Sequence, residues 1–163
     1  MKIKNILTAV FVLAAISGSY AQTSDAETEA IVNLLGVQKK EAISKLVPVS
    51  GKDSIAFWKL YDEYHQLNKA TAKSRINLYE KTAMAYSNLT PAVADSLASK
   101  YFANRMDQEK TLETYYKKIK AATNAVVAFE FYQAEVYILT QLRAQIMQQI
   151  PTYGQLLAST KKN

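Results

Sequence analysis

A single histidine limits the chemistry open to this chain. His65 is the only one, and the 163 residues include no cysteine, so a zinc site would need a donor set made almost wholly of carboxylates. Asp62-x-x-His65 has the spacing of the Glu-x-x-His element of di-iron bundles. Those centres require the element on two helices plus two further glutamates, and no second copy occurs. A Ser-His-Asp or Cys-His pair is equally ill served, because His65 stands between Tyr61 and Asn68 with no adjacent nucleophile on the chain. His65 reads as a packed, hydrogen-bonded seam residue rather than a metal ligand or proton sensor. Gly36, Gly51 and Gly154 are isolated from one another, so no glycine-rich loop can cradle a phosphate. The expectation is a protein that is not an enzyme and takes no metal and no cofactor.

Aromatic residues carry more information than titratable ones. There are 11 Tyr, 5 Phe and 1 Trp, and they cluster: Phe57, Trp58, Tyr61 and Tyr64 within two helical turns, then Phe129, Phe131, Tyr132 and Tyr137. One reading is a helix–helix interface with phenol groups reaching water at its edge. The other is an amphipathic surface beside lysines that holds non-native polypeptide. On the second reading the candidate client-binding residues are Phe57, Trp58, Tyr61, Tyr64, Phe129 and Tyr137, with Lys69 and Lys73 beside them.

These residues ride on long helices. From Ser54 to Asn88 there is no Gly and no Pro, and steps of three and four link Trp58, Tyr61, His65, Asn68, Ala72, Ile76, Tyr79, Ala83 and Tyr86 into one seam. A helix of about 35 residues is about 50 Å long, more than an ordinary compact domain of this size spans. The predicted fold is therefore all-α and elongated, an antiparallel helical hairpin within a bundle of about four helices. Ser24-Asp25-Ala26-Glu27 fits a capping box for the first helix. Its apolar face is read as Ile31, Leu34, Leu35, Ala42, Ile43 and Leu46, with Lys39, Lys40, Glu41 and Lys45 in water and a weak point, a candidate break, at Gly36. A loop follows over Val47 to Asp53, and Asp53 or Ser54 caps the long helix. Thr90-Pro91 opens a third helix, running to about Ala121 along Ala94, Leu97, Tyr101, Arg105, Gln108, Leu112, Tyr115 and Ile119. Thr123 or Asn124 caps a fourth, which Pro151 ends.

The chain starts like an export signal: Lys2 and Lys4, an apolar run from Ile6 to Ile16, and Ser19-Tyr20-Ala21 as a small-x-small cleavage site. Residues 1–21 are read as a signal peptide cut after Ala21, residues 22–151 as one helical domain and 152–163 as a flexible tail. The apolar run is about half the roughly 20 residues a membrane span needs, so no transmembrane segment is expected in the mature chain. Lys+Arg number 20 against 14 Asp+Glu; without Lys2 and Lys4 this becomes 18 against 14, or +4. An exported chain of so mild a balance meets anionic lipid, cell-wall polymer or unfolded envelope proteins rather than nucleic acid, and the same charge is equally explained by solubility alone.

At the level of motifs the chain resembles a family. Phe57-Trp58-x-x-Tyr61-x-x-Tyr64, Arg75, Tyr86-x-x-Leu89-Thr90, Phe131-Tyr132-Gln133-Ala134-Glu135 and Ile150-Pro151 look like the pattern of Spy/CpxP-like envelope proteins, especially their Bacteroidetes-type branch. The match runs from about Val37 to Pro151. Val93 stands where the family's Leu-Thr-x-x-Gln signature has its Gln. The resemblance implies an all-helical, often dimeric, periplasmic ATP-independent chaperone or envelope-stress binding protein that shields non-native proteins. The alternatives are an adaptor or sensor for a specific envelope partner, as in extracytoplasmic sigma-factor or metal-stress signalling, and a structural envelope protein without clients. A homodimer is expected because an extended hairpin leaves apolar flank for a second copy.

One charge cluster is predicted inside the helical layer. Arg75 and Arg105 are equidistant from the turn at Thr90, and Glu135 falls about one helical turn from Arg105 across the next turn. Glu135 is expected to pair with Arg75, Arg105 or both and so to set helix register; the alternative is that it turns to solvent at the helix edge, since sequence does not fix helix rotation.

Overall fold

A computed structural model describes residues 25–149 of the chain. The predicted signal peptide, its cleavage site, the Ser24 cap, Pro151 and the tail all lie outside the described residues. Among the described residues four helices follow one another: α1 (Asp25–Leu46), α2 (Gly51–Ala85), α3 (Pro91–Ala122) and α4 (Ala125–Gln149), with a short 3₁₀ turn, Tyr86–Asn88, after α2. The class is all-α, an antiparallel bundle built around the long α2–α3 hairpin. Among the described residues no helix is long and apolar enough to cross a membrane.

The helix boundaries follow local chemistry. At the start of α3, Thr90 is the N-cap and its hydroxyl accepts from the Val93 amide, while Pro91 fills the first turn, where its missing N–H costs nothing. Asn124 caps α4 with its side-chain oxygen, accepting from the amides of Val126 at 2.9 Å and Val127 at 3.0 Å. The α1–α2 connection is shorter than expected. The long helix begins at Gly51, whose φ of 61° suits a residue without a Cβ, and the N-cap is Ser50 rather than Asp53 or Ser54.

Packing runs cyclically: α1 against α2, α2 against α3, α3 against α4, and α4 back against α1. The tightest core lies at the end where α1 meets α2 and α3 meets α4, formed by Ile43, Val47, Phe57, Tyr61, Tyr64, Leu112, Tyr115, Ile119 and Phe131. Phe131 from α4 is the hub, meeting the rings of Phe57, Tyr61 and Tyr64 edge-on with centroids 6.2, 6.3 and 5.3 Å away. Such pairs contribute about 0.5–1.5 kcal/mol each beyond burial. At the other end no residue from 80 to 103 is buried, because α1 and α4 are shorter than the hairpin they cover.

Two readings of α1 are corrected by this packing. Gly36 is no break: the helix runs straight through it. A Cβ there would come within 2.3 Å of His65 Cε1 and 2.5 Å of Nε2, so the glycine lets α1 approach α2 closely at the imidazole. The buried face of α1 is also rotated from the expected one. It carries Val32, Lys39, Ala42 and Ile43, while Leu34 and Leu46 are exposed. Lys39, expected in water, is therefore buried.

Candidate functional site

Glu135 lies in the middle of α4 with no exposed surface, where an unpaired carboxylate would be strongly disfavoured. Burial agrees with expectation and the partner does not. Lys39 Nζ on α1 stands 2.8 Å from Glu135 Oε2, and the Tyr64 hydroxyl donates to the same oxygen at 2.8 Å. The Lys39 ammonium also sits 5.0 Å from the centre of the Tyr64 ring, an attractive geometry for a cation over a π face. Three helices thus meet on one carboxylate oxygen. The other, Oε1, is buried without a protein partner. The same carboxylate acts on both nearby phenols: burial first and the Glu135 charge second push the Tyr61 and Tyr64 hydroxyls above their ordinary range.

The predicted arginine partners go elsewhere. Arg75 Nε donates to Asn104 Oδ1 at 2.9 Å, and Asn104 Nδ2 donates to the Thr71 carbonyl at 2.9 Å. The hairpin register is thus right to within one residue, but Asn104 faces inward and Arg105 is exposed. A single residue turns a helix by about 100°, enough to move Arg105 off the seam. Nη2 of Arg75 is buried with no hydrogen-bond partner. Burial chiefly lowers its tendency to hold a proton, with the like charges of Arg143 and Arg105 acting in the same sense and Tyr79 opposing.

The candidate client-binding residues divide in the same way. Phe57, Tyr61 and Tyr64 are fully enclosed and offer no surface to a client; Trp58 is half-buried against the core. This corrects the assignment of the α2 cluster, whose two readings resolve in favour of helix packing once α1 and α4 cover it. Phe129 and Tyr137 on α4 are exposed. Lys69 lines a half-open cavity between the helices, whereas Lys73 borders an outer groove between α2 and α3. Sequence reasoning missed the exposed pair Phe102 and Met106, one turn apart on α3 in a shallow groove with Arg105, Glu109, Lys110 and Glu113. Their i, i+4 spacing outside the apolar seam was the available signal.

His65 is half-buried, its ring parallel to Tyr61 at 6.5 Å between centroids and pressed against Gly36. Burial first, then the charges of Lys39 and Lys69, lower its pKa from the usual 6.5. Behind it, bounded by residues of α1, α2, α3 and α4, lies a half-open cavity of about 100 Å³. Among the described residues no group of three or more His, Asp or Glu side chains is placed to hold a metal ion. No family model, curated protein or solved structure matches the chain.

Proposed function

We propose that this protein is an exported, ATP-independent binding protein that shields non-native envelope polypeptides, acting through the outer faces of α3 and α4. The observation that carries the reading is the pair Phe102 and Met106, 68% and 71% exposed and interleaved with Arg105 and Lys110. Large apolar side chains held in water on a rigid helix cost solubility, and mixed with charge they suit transient capture of unfolded segments. Val126, Phe129 and Tyr137 offer further exposed apolar surface on α4. Placement in the periplasm rests on the signal-like residues 1–21, and the Spy/CpxP-like motif pattern supports the same class.

The test is aggregation of three unrelated denatured proteins at low salt, with and without an equimolar amount of the chain from Gln22 onward. Suppression of all three is expected, weakening as salt screens the arginine and lysine contacts. A Phe102→Ser, Met106→Ser double variant should lose suppression while keeping its melting temperature. Unchanged aggregation of every client, together with one saturable envelope partner in a pull-down, would replace this reading with the adaptor.

A further inference from the structure

The cavity behind His65 combines two features. Its walls are aliphatic, from Val32, Leu35, Ile76, Leu139, Leu142 and Ile146. Its polar edge is cationic, with Lys39, Lys69, Arg75 and Arg143 all contributing to the lining. Among the described residues that line it there is no Asp or Glu. Lys39 already has its counter-ion in Glu135. That leaves three cations against an apolar chamber, and one of them, Arg75, has Nη2 buried with no hydrogen-bond partner.

Arg75 bonds Asn104 through Nε and Arg143 bonds the Tyr79 hydroxyl, but both partners are neutral and no Asp or Glu lines the chamber, so the lost hydration of these cations is only partly offset. An apolar side chain at Arg75 or Arg143 would fill the same space. A guanidinium presents a planar fork of donors matched to a carboxylate, and the aliphatic walls match a hydrocarbon chain. From these we infer that the cavity is a binding site for an amphiphilic monocarboxylate, its head on Arg75 and Arg143 and its chain among the leucines and isoleucines of α1 and α4. Size restricts the class. A cavity of about 150 Å³ accepts benzene, so about 100 Å³ encloses some four carbons; longer chains must continue into the opening between the helices. Short- to medium-chain fatty acids meet both conditions. The inference stands apart from client shielding, which uses the outer faces of α3 and α4.

Titration calorimetry on the chain from Gln22 onward, with octanoate as the probe, tests it. Acetate supplies the head alone, octanol the chain alone, and octylamine the chain with the opposite charge. One-to-one saturation by octanoate is expected, with no saturation by the other three at the same concentrations. Arg75→Met and Arg143→Met should each weaken octanoate at least tenfold. Because Arg75 also holds Asn104, the Arg143 variant serves if the first fails to fold. Leu142→Trp, which fills the chamber, should abolish binding while helicity and cooperative melting are retained. Octanol or octylamine binding as tightly as octanoate would reduce the site to an apolar void and overturn the inference. So would Arg143→Met keeping octanoate affinity within twofold, or octanoate failing to saturate below about 10 mM, a binding free energy weaker than about 3 kcal/mol.

Discussion

Removing the Lys39 ammonium while keeping its bulk, as in Lys39→Met, isolates the central electrostatic contact of the bundle. The side chains of Lys39 and Glu135 retain 10% and 0% of their surface. Without the lysine, Glu135 Oε2 keeps only the Tyr64 hydroxyl, and Oε1 has no protein partner even in the parent. Breaking a buried pair from one side costs about 3–5 kcal/mol, whereas an exposed pair is worth about 1 kcal/mol or less. For a chain of this length each kcal/mol moves the melting point by about 2–4 °C, so Lys39→Met should melt about 6–20 °C lower. Glu135→Gln should cost less, about 1–3 kcal/mol, since the amide still accepts from Tyr64 and the flexible lysine can extend towards water. Replacing both partners, as Lys39→Met with Glu135→Leu, should recover most of the loss, because a carboxylate left alone in the core is what destabilises the single variant. Thermal and urea unfolding of the three variants checks this. If Lys39→Met stays within 1 kcal/mol of the parent, the pair is not buried in solution and the reasoning fails.

Gly36→Ala pits about 1 kcal/mol of helix propensity against about 1–3 kcal/mol of overpacking on the His65 ring, so it should be neutral or destabilising in the parent. In a His65→Ala background the same change should stabilise by about 1 kcal/mol, and a double-mutant cycle showing no such sign change would refute the close approach. His65 itself should make stability depend on pH. Its pKa is lowered in the folded state from 6.5, so below that value the unfolded chain binds more protons and stability falls with acidification; above about pH 7 the contribution is constant. His65→Gln should remove that slope between pH 5 and 7, as read from urea midpoints. Asn124→Ala removes the acceptor for two amides at the start of α4 and should cost about 1 kcal/mol, measured by the same unfolding curves.

What the sequence alone determined is what short-range chemistry controls. The helical class, the hairpin turn at Thr90-Pro91 and a cap at Thr123 or Asn124 are written in residues that satisfy or remove amides a few positions away. The apolar residues one turn to either side of Glu135 favoured its burial, but left open a turn to solvent at the helix edge. Rotation about each helix axis was not legible. Asn104 and Arg105 are adjacent, yet one faces Arg75 across the hairpin and the other faces water, and an apolar pattern broad enough to admit both cannot choose between them. The counter-ion of Glu135 escaped for the same reason. Lys39 is read as solvated from its type and becomes buried only because α1 turns Val32, Ala42 and Ile43 inward beside it. Gly36 shows the limit most plainly: along the chain it is a weak point in a helix, and only the arrival of His65 from α2 makes its missing Cβ a requirement. Tertiary structure likewise decided the fate of the aromatics. Phe57, Tyr61 and Tyr64 are enclosed because Phe131 closes over them, while Phe102 and Met106 stay in water on the outer face of α3, since which face a helix buries depends on the neighbours that cover it.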